Sequence, residues 1–155
     1  MPGAWSGGSA VGPAPTLGGC ARLGSSAQRP AGDYSVPHVI TVYQGPAAAE
    51  SEEAVSDTLT LTADGPDRLG FELFPITTNA YTCALSGTAF RAGRGFECLE
   101  RSEGEARPCR LRFTADRTAI TVEELDDGCR WYCGARATIG RVLFLRPTCP
   151  PVRDQ

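Results

Sequence analysis

Cysteine is the residue type in this chain with the most chemistry to offer. The sequence contains seven cysteines but a single histidine, His38. Clustered thiols with almost no imidazole are typical of a disulfide framework in an exported protein, and less typical of a metal or catalytic centre. The cysteines that we predict to form disulfides are Cys83, Cys98, Cys109, Cys129, Cys133 and Cys149.

The closest pair of cysteines, Cys129 and Cys133, brackets a short aromatic and basic segment. We interpret them as half-cystines that anchor this loop to different strands. Their candidate partners are Cys83, Cys98, Cys109 and Cys149. We favour a bond between Cys109 and Cys129, because it would join neighbouring strands across the turn at Arg117. The sequence alone cannot select the remaining connectivity.

Two other cysteine chemistries compete with the disulfide interpretation. A structural zinc site needs two close ligand pairs, so Cys109 and Cys149 would have to supply the second pair from distant positions. A redox pair needs a C-x-x-C spacing on a βαβ background, and the sequence has neither. A cysteine or serine nucleophile needs a nearby base, for which His38 is the one histidine. We therefore predict no metal, no cofactor and no catalytic residue.

The segment around residues 129–136 is instead a candidate binding surface. Trp, Tyr and Arg are the residues that most often anchor protein interfaces. A loop held by disulfides would present them already ordered, which lowers the entropy cost of binding. The alternative is that the aromatic side chains cap one end of the fold. The predicted binding residues are Arg130, Trp131, Tyr132 and Arg136.

Hydrophobic residues alternate with polar ones along the chain from residue 36 onward, which is typical of half-buried strands. The clearest run is 58–63, where Leu59 and Leu61 share one face. We interpret 45–57 as an acidic loop and expect one short helix or turn within 129–134. About eight short strands at regular spacing predict an all-β fold, a small antiparallel barrel stapled by disulfides.

The chain divides into three regions by composition. Residues 1–35 are rich in Gly and Pro, so we predict a disordered tail or a residual signal or lipoprotein segment. Residues 36–148 form the predicted barrel domain, and 149–155 form a C-terminal tail. The tail at the amino end has no apolar core of the kind that a secretory signal contains.

Residues 17–20 (Leu-Gly-Gly-Cys) resemble a bacterial lipobox, which makes Cys20 a candidate lipidation site. The alternative is that Cys20 is an ordinary thiol in a flexible tail. Because disulfides form in oxidising compartments, we predict a protein of the periplasm or cell envelope, with lipid anchoring through Cys20 as one form of attachment.

The charge of the chain limits its partners. All 15 basic residues are Arg, and the net charge is −3. Proteins that bind nucleic acid usually carry a basic excess, so we predict no nucleic-acid partner. The sequence also lacks the run of roughly 18 apolar residues that a membrane-spanning helix needs. We expect a monomer that contacts a membrane only through an anchor at Cys20.

Three segments resemble small exported proteobacterial domains that carry a C-x-L-x-G-x-A segment followed by C-x-x-Y-C-G-x-R-A. The segments are AYTCALSGTAF at 80–90, CRL at 109–111 and CRWYCGARATIG at 129–140. The matching positions are Cys83, Leu85, Gly87, Ala89, Cys129, Tyr132, Cys133, Gly134, Arg136 and Ala137. The resemblance implies an exported compartment, and some such domains lie beside lysozyme inhibitors. The Ser-Gly-x-x-Tyr loop of membrane-bound lysozyme inhibitors is not matched, because 86–90 ends in Phe90.

These observations predict a non-enzymatic binding or inhibitor module of the cell envelope. Its partner would be a protein, with a hydrolase such as lysozyme suggested by analogy. One alternative is a barrel that binds a small apolar ligand. Another is a purely structural envelope protein.

Overall fold

The computed structural model of the chain describes residues 30–45, 50–101, 103, 107–134 and 136–147. The predictions for residues 1–29, including lipidation of Cys20, lie outside the described residues. So do the predicted pairing of Cys149 and the C-terminal tail.

Eight strands form one antiparallel sheet in the order β1-β2-β3-β6-β7-β8-β9-β10, so nearly every strand pairs with its neighbours along the chain. The first and last strands, β1 and β10, approach each other and nearly close the sheet into a barrel. The predicted all-β barrel is confirmed. The strands are β1 (Gly32–Tyr43), β2 (Glu50–Ala63), β3 (Arg68–Phe74), β4 (Ile76–Thr77), β5 (Tyr81–Thr82), β6 (Leu85–Ala92), β7 (Gly95–Glu100), β8 (Cys109–Ala115), β9 (Ala119–Glu124) and β10 (Arg141–Leu145). The β4–β5 pair is a separate small hairpin, and two 3-10 helices span Thr78–Ala80 and Asp127–Tyr132.

Side chains that alternate along the strands fill the barrel interior. Successive residues of a strand point to opposite faces, so one apolar set from each strand meets at the centre. The rings of Phe71 and Phe113 lie 4.8 Å apart between centroids, and Phe113 is 2% exposed. The other large side chains that are almost fully buried are Leu59, Leu69, Leu73, Leu111, Ile120, Val122 and Phe144. An apolar ligand would have to displace these side chains to enter.

The two ends of the barrel differ in the length of their connections. In an antiparallel meander, successive connections alternate between the ends. At one end the connections 64–67, 93–94 and 116–118 are tight turns. The connections 75–84, 101–108 and 125–140 lie at the other end, which we call the long-loop end. Loops held by a rigid scaffold are a common position for function, so this end is where a site is expected.

The tight turn between β8 and β9 shows how one side chain can fix a connection. The carboxylate of Asp116 accepts hydrogen bonds from the backbone N–H of Thr118 (2.7 Å) and of Ala119 (2.8 Å). These donors and the Thr118 hydroxyl favour the ionised carboxylate, so the pKa of Asp116 lies below its usual range.

Two sequence-based boundaries are wrong. The acidic segment predicted as a loop over 45–57 contains the first half of β2, which begins at Glu50. Its backbone pairs with β1 from Tyr43 opposite Glu50 onward, so the ladder stabilises a strand although its side chains are polar. The barrel also begins before residue 36, because β1 starts at Gly32. Tyr34 is buried there, and its hydroxyl donates to the Pro30 carbonyl at 2.7 Å.

The prediction that Cys98 forms a disulfide is wrong. Cys98 is a free thiol on β7, 2% exposed, and points into the barrel. The residue directly opposite it on β8 is Leu111, which offers no sulfur atom. Burial, together with the Glu100 carboxylate 3.7 Å from the sulfur, raises the pKa of the Cys98 thiol to about 12.

We expect Cys98 to resist alkylation while the protein is folded. With a thiol pKa of about 12, roughly one molecule in a thousand carries the reactive thiolate at pH 9. Iodoacetamide labelling followed by peptide mapping should show the Cys98 peptide unmodified over a period that labels it completely in concentrated guanidinium chloride. Rapid labelling of the folded protein would contradict the buried position.

Candidate functional site: the stapled loop

Two disulfides fix one loop at the long-loop end, residues 127–134, which we call the stapled loop. Cys129 bonds to Cys109 at the start of β8, and Cys133 bonds to Cys83 between β5 and β6. The predicted Cys109–Cys129 pair is confirmed. The zinc interpretation is wrong for Cys109, Cys129 and Cys133, because their sulfur atoms are used in disulfides.

Most of the stapled loop is the 3-10 helix Asp127–Tyr132, which agrees with the short helix expected near 129–134. The carboxylate of Asp126 caps this helix by accepting from the Gly128 backbone N–H at 3.0 Å. Gly128 is buried against the Pro108 carbonyl, and a Cβ atom at this position would collide with that oxygen. The sequence therefore needs glycine here for the loop to approach the β7–β8 connection.

Backbone hydrogen bonds join the stapled loop to the segment between β5 and β6. Ala84 N–H donates to the Tyr132 carbonyl at 2.9 Å, and Gly134 N–H donates to the Thr82 carbonyl at 2.8 Å. Within the loop, Cys133 N–H donates to the Arg130 carbonyl at 3.2 Å. Backbone hydrogen bonds and the two disulfides thus hold the loop against the barrel.

The structure separates the four predicted binding residues into two groups. Trp131 is 64% exposed, and Arg130 and Arg136 are exposed as well. Tyr132 is half-buried and packs against the core. The capping alternative therefore describes Tyr132 but not Trp131.

A surface cavity of about 380 Å³ lies beside the stapled loop. Arg130 and Arg136 both line it, which their positions in the sequence did not indicate. Glu124, at the end of β9, and Asp127 line it as well. Trp131 is not among its lining residues, so the loop presents the tryptophan and the cavity as two separate features.

Both carboxylates that line the cavity already have hydrogen-bond donors. Asp127 accepts from the Arg107 guanidinium at 2.6 Å, and this hydrogen bond holds the pKa of Asp127 below its usual range. Glu124 accepts from the backbone N–H groups of Ile139 (3.2 Å) and Gly140 (3.1 Å). Glu124 and Asp127 thus help to hold the segments around the cavity in place.

His38 lies away from the stapled loop and has a structural environment. Its Nε2 donates to the Ile76 carbonyl at 2.9 Å and lies 3.8 Å from an oxygen of Asp57. The same Asp57 oxygen accepts from the Ile76 backbone N–H at 2.7 Å. These bonds tie β1, β2 and β4 together. Within the described part of the chain, no three His, Cys, Asp or Glu side chains converge as a metal site would require.

The fold and the site define a disulfide-stapled, up-and-down β-barrel that displays a rigid loop at one end. Comparison with protein-family profiles, with curated proteins and with solved structures gave no match. Among the described residues, the structure contains no helix that is long and apolar enough to cross a membrane.

Proposed function

We propose that this protein is a non-enzymatic binding module of the cell envelope that recognises a protein partner through the stapled loop. The observation that supports the proposal most directly is the 64% exposure of Trp131 on a loop fixed by two disulfides. A hydrolase such as lysozyme is the partner to test first, because the sequence resembles domains found beside lysozyme inhibitors.

The physical argument rests on the cost of ordering a binding surface. A flexible loop loses conformational entropy when it binds, by about 0.5–1.5 kcal/mol for each immobilised side chain and more for backbone. The backbone of the stapled loop has already lost that freedom during folding. An exposed Trp next to an Arg is also the combination that dominates binding energy in many interfaces.

The disulfides favour an oxidising compartment, which supports our proposal that the protein acts in the periplasm or cell envelope. Lipidation of Cys20 would add an anchor to the membrane surface without changing the barrel. We propose that the protein is a monomer that binds neither nucleic acid nor a cofactor, in keeping with its net charge of −3.

The chemistry of the described residues supports a binding role over catalysis. Four cysteines are oxidised, and Cys98 is a buried thiol with a pKa raised to about 12, which suppresses its thiolate. The nitrogen Nε2 of His38 is engaged with the Ile76 carbonyl. A nucleophile beside a free base, which acyl-transfer chemistry needs, is not formed by these groups.

The proposal is tested with a chicken-type lysozyme and the Trp131→Ala variant. We expect the wild-type protein to bind the enzyme in calorimetry and to slow its lysis of bacterial cell walls. Because a central aromatic anchor contributes about 2 kcal/mol or more, Trp131→Ala should weaken binding about 30-fold.

The matched control is Phe90→Ala, which removes a similarly exposed aromatic ring (56%) from β6, away from the stapled loop. It should leave the affinity within about twofold of wild type, since it lies outside the proposed interface. Equal loss of affinity in both variants would place the contact elsewhere. If wild-type protein neither binds nor inhibits, lysozyme is not the partner.

A further inference from the structure

The acidic and basic side chains that line the cavity beside the stapled loop differ in their hydrogen bonding. Its carboxylates, Glu124 and Asp127, accept hydrogen bonds from backbone N–H groups and from Arg107. Among the described residues, the guanidinium groups of Arg130 and Arg136 make neither a hydrogen bond nor an ion pair. Arg130 is near enough to Asp127 for its charge to contribute, after Arg107, to the lowered pKa of that carboxyl. The carboxylates of the cavity therefore have hydrogen-bond donors, whereas the N–H groups of the two guanidinium groups have no acceptor among the described residues.

The walls of this cavity are held in place. Gly134 is tied to Thr82 by its backbone N–H, and Ala137, which is buried, donates its N–H to the Gly134 carbonyl at 3.0 Å. Glu124 accepts hydrogen bonds from residues 139 and 140, which directly follow the lining residue Thr138. A volume of about 380 Å³ is at the lower end of ligand pockets in general, and it suits a side chain with its flanking backbone.

We propose that this cavity binds an acidic segment of a partner protein, with one Asp or Glu carboxylate placed between Arg130 and Arg136. The inference deepens the proposed function and rests on it for the existence of a protein partner. Guanidinium groups bind carboxylates through paired, charge-assisted hydrogen bonds, and two of them facing one cavity provide more donors than one carboxylate needs.

The charges that line the cavity balance, since Glu124 and Asp127 are acidic and Arg130 and Arg136 are basic. The proposed contact therefore depends on the hydrogen-bond donors that the two guanidinium groups offer, and not on an excess of positive charge.

The test is a titration of the full-length, isotopically labelled protein with a capped tetraglutamate peptide at low ionic strength, followed by NMR. We expect saturable shifts of the backbone amides of Gly134, Ala137 and Thr138. A capped tetraglutamine peptide of the same length, which has no charge, should produce none. Arg130→Gln and Arg136→Gln should each weaken the tetraglutamate affinity about fivefold or more, because each removes a charge-assisted contact.

Arg94→Gln is the matched control. Arg94 is exposed in the tight turn between β6 and β7, at the opposite end of the barrel, and its loss changes the net charge by the same amount. It should leave the affinity within about twofold, since a distant exposed charge is screened. Equal weakening by Arg94→Gln, shifts that do not saturate, or equal binding of tetraglutamine would each overturn the proposal.

These outcomes are separable from those of the lysozyme experiment, because the peptide titration needs no native partner. A protein that loses lysozyme binding on Trp131→Ala but shows no tetraglutamate site has the proposed function without the acidic recognition. Tetraglutamate binding that depends on Arg130 and Arg136 supports the acidic site even if lysozyme is not the partner.

Discussion

Replacing both Cys83 and Cys133 with Ala is expected to lower the free energy of unfolding by about 4 kcal/mol. The bond closes a loop with a sequence separation of 50 residues, and its loss returns that conformational freedom to the unfolded chain. Both cysteines are replaced so that no unpaired thiol remains. Urea titration monitored by circular dichroism measures the change.

The Cys109→Ala/Cys129→Ala double variant provides a graded control. Its loop is shorter, with a separation of 20 residues, so the expected loss is about 3 kcal/mol. The larger decrease in unfolding free energy should belong to the longer loop. Strain in the native disulfides would change both values without regard to loop length, so the order of the two values tests the loop-length argument. A loss below about 1 kcal/mol for the longer loop would show that the hydrogen bonds of the stapled loop suffice to hold it.

The Cys83→Ala/Cys133→Ala variant also reports on the binding surface. Without the bond to Cys83, the second half of the stapled loop is held to the barrel mainly by the hydrogen bonds of Tyr132 and Gly134. Trypsin cleavage after Arg130 should then become faster under conditions where the barrel is still folded, because proteases need a locally opened chain. The loop would also be more flexible before binding, and a partner would have to remove that conformational entropy. Affinity for a partner should therefore fall together with resistance to trypsin.

The alternation of apolar and polar residues predicted the fold, because in each strand of the barrel every second side chain points to the interior. In the run 58–63, Leu59 and Leu61 are buried and Thr58 and Thr62 are exposed, as the period-two pattern predicted. The period-two pattern does not identify a strand that has no buried face. The first half of β2, from Glu50, is such a strand, and its stability comes from backbone pairing with β1 that side-chain polarity does not reveal.

The candidate site was only partly predictable for a similar reason. The residue types led us to predict Trp131 and Arg130 as binding residues. We predicted the Cys109–Cys129 bond because it would join neighbouring predicted strands. The choice between Cys83, Cys98 and Cys149 for Cys133 depends on which strands meet in space, which a local pattern does not contain. The cavity shared by Arg130 and Arg136 depends on how 134–140 returns to the barrel, a path set by the hydrogen bonds of Glu124.

Phe113→Ala is expected to destabilise the barrel by about 4 kcal/mol, because it removes a buried ring and leaves a cavity that the strands cannot close. Phe113 is 2% exposed and packs on Phe71 at the centre of the core. Phe90→Ala should cost less, about 0.5 kcal/mol, since Phe90 is 56% exposed and its loss leaves no buried cavity. Thermal and urea unfolding of both variants measure the difference.

The core substitution also separates stability from binding at the stapled loop. Phe113 lies in β8, the strand that begins at Cys109, and Cys109 forms one of the two disulfides that hold the loop. If the disulfides and backbone bonds fix the loop locally, Phe113→Ala should bind a partner with unchanged Kd at temperatures where it remains fully folded. A weaker Kd in the folded variant would mean that core packing, transmitted along β8, also sets the position of the loop.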